Sequence, residues 1–485
     1  MAVLKGDLAT NAHARQAALH PGFVQAVIAH GTKHPGNDAS RAAAGSVLAL
    51  LAHTCDEARR LVAAQGDVTV DLMLSSLREV CDTICTADGG GIRGTLQLRT
   101  LSVLLAVKEQ GGAPAERAMR DPHALLVAVQ LCGPRFADAD GGRGPALRYL
   151  LDAFTPPRGD LSCAAWLDLP ARQPPVAEAP LLMHLVPHFA GLLLAPDVPG
   201  DARVGLVMLA YRLLRTPGLS PVITAHLAAD GAVPALCRLA LQQLRLARCD
   251  PASARDLELT ARLLRQAAWF PLLTEHLAQH ALPALLAVLR DAPVAGGAEA
   301  GAERGPQLAA QALLVILRAN QGEHGPGPEF VRLAVTSPAT LDAVARLLEG
   351  AAAAWRTAGV PWADMRIAAG LAVKLAEEAQ PGDQWRRAVG GLLPAAARSL
   401  QHVADGVMSA TRGGTGAGDA RGELRTACLT LLLLVADLTQ TLVPVGMPGT
   451  PEDPGPMAVA LEAAPALLDT LGSLIASEWW TAEVS

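Results

Sequence analysis

A recurring apolar helix is the feature that most constrains how this 485-residue chain can fold. Its clearest copy spans residues 230–247. Gly231 marks the turn before it, and Pro234 falls in the first helical turn, where a missing backbone N–H breaks no intrahelical hydrogen bond. The apolar residues follow the i, i+3, i+4, i+7 spacing that forms one stripe on a helix: Val233, Leu236, Cys237, Ala240, Leu241 and Leu244. This stretch is therefore predicted to be an amphipathic helix.

The pattern returns along the whole sequence at intervals of about 50 residues, a period typical of helical repeat arrays. Related helices are predicted to begin near Phe23, Val70, His123, Pro180, Gly231, His280, Ala339, Leu392 and Ala464. An X-Pro-Ala sequence recurs in four of them, at Pro234, Pro283, Pro394 and Pro465. The residue sequence of the helix therefore recurs together with its spacing.

Two further kinds of segment separate these helices. The first is apolar on nearly all sides, as a helix packed between neighbouring repeats must be, and is predicted at 41–53, 96–108, 146–154, 202–214, 257–268, 307–319, 365–377 and 424–438. The second is a short amphipathic helix, as at 57–64, 221–229 and 272–279. Because 51% of the residues are apolar but only 3% aromatic, with Ala and Leu dominant, the composition also favours close-packed helices. The predicted fold class is all-α.

The predicted units have three helices each, and the third helix has a sequence similar to GAVPALCRLA. This arrangement resembles the armadillo repeat. The resemblance implies an α-solenoid of about eight three-helix repeats, whose third helices line a concave groove. Two helices per unit would instead indicate the related HEAT repeat. We expect residues 1–40 to hold a partial repeat or cap, and residues 41–485 to form one continuous repeat domain. Its Gly- and Pro-rich loops are predicted near 156–175, 293–305, 409–422 and 444–456.

One glycine-rich string suggests a different function. Residues 88–94, from Asp88 to Gly94, read DGGGIRG and resemble the oxyanion loop of patatin-like phospholipases, which implies a lipid acyl hydrolase. Residues 83–87 can be read as the strand that precedes this loop in those enzymes. However, no Gly-x-Ser-x-Gly nucleophile elbow occurs in the sequence.

The string ends in an Arg-Gly pair that stands before a predicted apolar helix, and the same pair stands before three more: Arg93-Gly94, Arg143-Gly144, Arg304-Gly305 and Arg421-Gly422. We therefore interpret residues 88–94 as an inter-repeat loop whose glycines adopt positive φ. A fragment of a patatin-like hydrolase remains the alternative, and no catalytic residue is assigned.

Pairs of possible metal ligands occur at helical spacing. His-x-x-x-His appears at His30/His34, His184/His188 and His276/His280, but without the Glu or the third ligand of a zinc site. Cys81 and Cys85 have the same i, i+4 spacing and are interpreted as core thiols. We therefore expect no metal site in this chain, and the sequence predicts no cofactor. Tryptophans cluster at Trp355, Trp362 and Trp385, with Trp479 and Trp480 further on; they are expected in packing, in binding or in capping the last repeat.

The polar faces of the third helices are the predicted binding surface. On the helix after Gly231 this face carries Arg238, Gln242 and Arg245, which can attract an acidic partner or simply be solvated. Positions equivalent to Arg238 are His184, Ala287, Arg398 and Asp469, so the groove candidates are Arg238, Gln242, Arg245, His184 and Arg398. Armadillo proteins that resemble importin α hold peptides through a ladder of asparagines on their third helices. The only asparagines here are Asn11, Asn37 and Asn320, which fall outside well-formed third helices. Binding of a nuclear-localisation signal by that mechanism is therefore not expected.

The remaining global features narrow the function class. A net charge of −6 gives no basic field that would gather nucleic acid, and no apolar run is long enough to span a bilayer. The first residues lack the apolar core of a secretory signal, and the eight cysteines are interpreted as reduced thiols. The sequence therefore predicts a cytoplasmic or nuclear, non-enzymatic scaffold that binds protein partners.

Overall fold

The described part of the chain is entirely helical. The computed structural model describes residues 20–33, 36–53, 56–84, 92–136, 143–154, 185–216, 220–229, 231–247, 250–292, 305–319, 327–335, 337–358, 362–378, 383–412, 428, 431–435, 462–466, 468–469 and 472. Every element within these residues is an α-helix or a short 3-10 turn. The all-α prediction is therefore confirmed.

The helices form two compact units, Met1–Ala235 (unit 1) and Leu236–Ser485 (unit 2). Unit 1 contains α1 Pro21–Thr32, α2 Asp38–Ala52, α3 Asp56–Ala63, α4 Asp67–Ile84, α5 Ile92–Gln110, α6 Gly112–Arg120, α7 Pro122–Leu131, α8 Gly144–Phe154, α9 Phe189–Leu194, α10 Gly200–Arg215 and α11 Ser220–Ala229. The unit boundary falls inside α12, Ala232–Ala247. Unit 2 continues with α13 Pro251–Ala268, α14 Pro271–His280, α15 Leu282–Asp291, α16 Gly305–Ala319, α17 Gly327–Val335, α18 Pro338–Ala358, α19 Trp362–Glu378 and α20 Asp383–Arg412.

The three kinds of predicted segment are all present as helices. The segments apolar on all sides become α2, α5, α8, α10, α13, α16 and α19. Their burial agrees with the prediction, since α2 buries every residue from Ala44 to Ala52 and α10 every residue from Val204 to Tyr211. Such a helix must be covered by neighbours on more than one side.

Packing within each unit follows a regular order. In unit 1, α2 packs on α5, α5 on α8, and α8 on α10, while α1 packs on α4 and α4 on α7. In unit 2, α13 packs on α16 and α16 on α19, while α15 packs on α18 and α18 on α20. Each of these pairs joins a helix to the helix of its own kind in the next predicted repeat.

The short helices α11 and α14 correspond residue by residue, reading PVITAHLAA and PLLTEHLAQ. Ile223 and Leu273 are both buried, as are Leu227 and Leu277 one turn later. The pair Thr224 and Thr274 is also buried, and each hydroxyl donates to the carbonyl four residues earlier. Such back-bonding satisfies a buried hydroxyl inside a helix. The two helices therefore use the same local solution.

Turns between short and third helices have two solutions. Gly66 and Gly231 close them with φ of 57° and 68°, which glycine tolerates because it lacks Cβ. The equivalent residue before α15 is Ala281, which has a φ of −96° and needs no glycine. The predicted turn at Gly231 is confirmed.

Some local predictions were wrong. The helix expected to begin near Leu392 begins at Asp383 instead, and α20 continues through Pro394 to Arg412. A proline can be accommodated inside a helix when the loss of one backbone hydrogen bond is offset by packing, and Leu392, Leu393 and Ala395 are all buried here.

The Arg-Gly glycines also serve another purpose than expected. Among the described residues, positive φ occurs at other glycines, whereas Gly94, Gly144 and Gly305 lie at or near the starts of α5, α8 and α16 without it. A Cβ at Gly94 would lie 2.8 Å from the Phe136 ring, and one at Gly144 would lie 2.9 Å from Pro199 Cδ. Close packing therefore requires glycine at positions 94 and 144.

Several predicted features fall outside the described residues. These are residues 1–19 of the expected cap, the third helix expected near Pro180, and most of the Gly- and Pro-rich loops. Of those loops only Gly305 and residues 409–412 are described, and the loop prediction was wrong for 409–412, which form the last turn of α20. Near the predicted last repeat, only 428, 431–435 and a few residues between 462 and 472 are described.

Candidate functional site

The polar face of α12 is solvent-exposed as predicted. Arg238, Gln242 and Arg245 are exposed and follow each other at spacings of four and three, so they lie along one side of the helix. Leu246 extends this face and is 60% exposed. We call these four residues the α12 face. It presents two guanidinium groups, one amide and one apolar side chain to solvent.

The opposite side of α12 fixes how this face is presented. Val233, Leu236, Cys237, Ala240 and Leu244 are buried, as predicted, whereas Leu241 is only half-buried. Burial raises the pKa of the Cys237 thiol to about 12, so it is neutral at physiological pH. The α12 face is therefore carried by a packed helix with an unreactive thiol.

Gln243 is a buried polar residue that the sequence pattern did not reveal. Its Oε1 accepts a hydrogen bond of 2.7 Å from the Thr260 hydroxyl of α13, and both side chains are buried. A buried amide left without this partner would be unfavourable by roughly 1–3 kcal/mol. The bond therefore fixes the rotation of α12 about its axis relative to α13.

Other predicted third helices of unit 2 have a similar pattern of exposure. Counting from the proline of the X-Pro-Ala sequence in each helix, the fourth following residue is Arg238 in α12, Ala287 in α15, Asp342 in α18 and Arg398 in α20. Ala287 is half-buried and the other three are exposed. Charged residues of α18 at this and later positions were missed as candidates: Asp342, Arg346 and Glu349. The signal was present, because Pro338-Ala339 has the same register as Pro234-Ala235.

Arg398 is exposed but already bound. Its guanidinium Nε and one terminal nitrogen donate to the same carboxylate oxygen of Glu349, at 2.9 and 2.6 Å. Glu349 belongs to α18, so the pair joins two successive third helices. Arg398 is thus brought together with a residue of the neighbouring helix, a role that sequence reasoning did not assign.

The remaining groove candidate, His184, lies outside the described residues. Asp469, a predicted equivalent of Arg238, is exposed in the sparsely described segment 462–472. Arg290 of α15 binds its neighbour Asp291 at 2.7 Å. The candidate site that the structure describes is therefore the α12 face, followed along unit 2 by charged positions that include internal ion pairs.

The glycine-rich string yields no described catalytic arrangement. Residues 88–91 lie outside the described part, whereas Ile92 begins α5 and Gly94 packs within its first turn. Thr83 and Ile84 are the last residues of α4 and therefore helical, rather than part of a strand. The nearest described residues before the string, Thr83 and Ile84, and its last three residues, 92–94, are therefore helical.

Metal ligands and tryptophans were also considered as site residues. His276 is half-buried and His280 exposed on α14, and the described residues contain no cluster of three His, Cys, Asp or Glu that could hold a metal ion. His34, Cys85, Trp479 and Trp480 lie outside the described residues. The side chains of the predicted tryptophan cluster are likewise outside the description, as is that of Cys81.

An exposed apolar corner was not predicted. Trp269 is 66% exposed at the end of α13, and Leu272 is 46% exposed at the start of α14.

Within the described stretches, no helix by itself is both long and apolar enough to cross a bilayer.

Comparisons with known proteins add no assignment. No protein-family model matches the chain, and no curated protein matches it either.

Proposed function

We propose that this protein is a non-enzymatic, armadillo-type α-solenoid that acts as a scaffold and binds protein partners along its third helices. The proposal combines the repeated sequence unit with the order of packing inside each unit. Helices of one kind contact the next helix of the same kind, as stacked repeats require. Such arrays commonly present long surfaces for protein recognition.

The side-chain bonds between distant helices carry the architectural part of this proposal. In unit 1, Lys108 binds Asp152 and Arg148 binds Asp201, which joins α5 to α8 and α8 to α10. In unit 2, Arg265 donates to Gln311 at 2.8 Å between α13 and α16. These partners are 44, 53 and 46 residues apart, about one sequence period. A bonding distance of one period is expected when each repeat packs on the next.

The functional part rests on the exposure of the third-helix polar positions. These positions are exposed in α12, α18 and α20 and half-buried in α15, which supports a proposed surface that faces solvent along unit 2. A cytoplasmic or nuclear location is part of this proposal, since a scaffold for intracellular proteins would be found there.

Proximity labelling in cells can test the proposed binding surface. The full chain is compared with a double variant, Arg238→Glu and Arg245→Glu, which reverses two exposed charges of the α12 face. The matched control is Arg60→Glu with Arg120→Glu, which makes the same net charge change at exposed residues of α3 and α6. We expect one defined set of neighbours to be lost with the α12 variant and retained with the control. Equal labelling by all three proteins would contradict binding through this face.

A further inference from the structure

We infer that the first half of α5, residues 92–100, opens locally while the second half of the same helix stays packed. The inference concerns a conformational device within unit 1 and does not depend on the proposed scaffold function. It is drawn from a buried amide without a partner, from the polar residues around it and from the apolar residues that follow in the same helix.

Gln97 carries the buried amide. It is only 1% exposed, and neither its Nε2 nor its Oε1 has a hydrogen-bond partner among the described residues. Burial in this state is unfavourable, because both groups lose their hydrogen bonds to water without replacement. Water can bind both groups when this part of the helix opens. The Gln97 side chain therefore favours the open form.

Equivalent helices have an apolar residue at the same position. Counting three residues from the glycine of the Arg-Gly pair gives Gln97 in α5, Leu147 in α8 and Leu308 in α16. Both leucines are fully buried. Burial stabilises an apolar side chain but destabilises an amide without a partner. Among these three helices, only α5 thus has a polar residue that works against its own packing.

Two further residues weaken the first half of α5. Thr100 is fully buried, and its hydroxyl donates to the Leu96 carbonyl at 2.9 Å. Such back-bonding satisfies the hydroxyl but slightly destabilises the helix. Gly94, in the first turn, is a poor helix former. The residues around Gln97 therefore add little helical stability of their own.

The second half of α5 differs in what it buries. Its buried residues are all apolar: Leu101, Val103, Leu104 and Val107. At its end, Lys108 binds Asp152 of α8 at 2.9 Å. This half is therefore held by apolar packing and by an ion pair, and it can stay in place when residues 92–100 open.

The first half of α5 covers an aromatic side chain. A Cβ at Gly94 would lie 2.8 Å from the Phe136 ring, and Phe136 is only 2% exposed. Opening of residues 92–100 consequently exposes this ring to solvent. The open form thus presents an apolar group that the closed form hides.

Hydrogen exchange of the full chain tests this inference. Mass spectrometry with fragmentation to single residues compares the amides of 96–100 with those of 103–107, under conditions where protection reports the opening equilibrium. Amides of the first helical turn are left out, because they have no intrahelical partner in any helix. We expect protection to be at least about tenfold lower in 96–100, and equal protection of the two groups would overturn the inference.

The variant Gln97→Leu tests the cause. It places in α5 the residue found in α8 and α16, and we expect it to raise the protection of 96–100 at least about tenfold while leaving 103–107 unchanged. Gln110→Leu is the matched control, because Gln110 is exposed at the end of the same helix, and it should change neither group. Unaltered far-UV circular dichroism shows that both variants are folded.

Two results of this comparison would contradict local opening. An increase of the same size throughout unit 1 would show that Gln97 affects only global unfolding. No increase at 96–100 would show that the Gln97 amide is satisfied in the packed helix. Neither result bears on the scaffold function, which proximity labelling tests at the α12 face.

Discussion

At the scale of single residues, Gly231 is held in a conformation that other residues adopt with difficulty. Its φ is 68°, and a Cβ added there would meet no atom within 4 Å. The effect of a substitution therefore comes from the backbone alone. We predict that Gly231→Ala lowers the free energy of unfolding by about 1 kcal/mol, measured as a shift of the urea unfolding midpoint.

Gly350 provides the matched control. It lies inside α18, is exposed, and would also place a Cβ in open space, but its φ is not positive. Gly350→Ala should raise the free energy of unfolding by roughly 0.5–1 kcal/mol, because alanine is the better helix former. If both changes shifted the midpoint in the same direction, the backbone argument would fail.

Arg143 and Asp197 form a largely buried ion pair that joins the start of α8 to the turn before α10. The Arg143 guanidinium binds both carboxylate oxygens at 2.9 and 2.8 Å, and its backbone N–H donates to the same group at 3.0 Å. The side chains are only 7% and 16% exposed. We predict that Asp197→Asn lowers the free energy of unfolding by about 3 kcal/mol, because it leaves a buried guanidinium without its counter-charge.

The pair Arg148–Asp201 joins the same two helices but is 48% and 68% exposed. Asp201→Asn should therefore reduce stability by less than about 1 kcal/mol. The two variants measured side by side in urea distinguish burial from charge pairing in general. A similar loss in both would show that burial is not what makes the Arg143–Asp197 pair important.

The Arg143–Asp197 pair also predicts how the free energy of unfolding depends on pH. Hydrogen bonds from the Arg143 side chain hold the pKa of Asp197 below its ordinary value in the folded state. Its contribution is therefore complete above the unfolded pKa, at roughly pH 4, and is lost as pH falls through the lower folded pKa. The stability difference between wild type and Asp197→Asn should be constant from neutral pH to about pH 5 and should shrink below pH 4. A difference that stays constant down to pH 3 would contradict this assignment.

At the scale of one element, α14 shows how burial divides a short helix. Leu277 is fully buried, whereas Leu272, five residues earlier, is 46% exposed. We predict that Leu277→Ala lowers the free energy of unfolding by roughly 2–5 kcal/mol through loss of apolar contact and creation of a cavity. Leu272→Ala should change it by less than about 0.5 kcal/mol, as surface changes usually do. Thermal and urea unfolding of the two variants gives the comparison, and equal effects would mean that α14 is packed differently.

The elements were largely predictable because their signals are local. The stripe on α12 and the apolar runs of α2 and α10 follow from periodicity within one helix, and the structure confirms them. The start of α20 was not predictable from Pro394, because packing of buried leucines decided whether the helix continued through it. Gln243 was missed for a related reason, since its polarity gave no sign that Thr260 would bind it.

At the scale of the whole molecule, the proposed repeat stacking predicts that damage stays local. In stacked repeats, each unit depends mainly on its neighbours. Leu101 is fully buried in α5, which packs on α2 and α8. We predict that Leu101→Ala reduces hydrogen-exchange protection in α2, α5 and α8 and leaves α16 and α19 unchanged, measured by mass spectrometry. Uniform loss of protection along the chain would indicate one cooperative core and would contradict the solenoid proposal.

The sequence by itself determined the helical fold class and the exposed side of α12. These features depend on the helical period of 3.6 residues and on local residue preferences, which are written in consecutive positions. Tertiary structure decided which residues of different helices and turns meet: Phe136 fills the space beside Gly94, Asp197 binds Arg143, and Glu349 binds Arg398. Those partners lie 42 to 54 residues apart in sequence, about one period. A period gives the separation at which helices meet, but only the packing of their side chains selects the individual contacts.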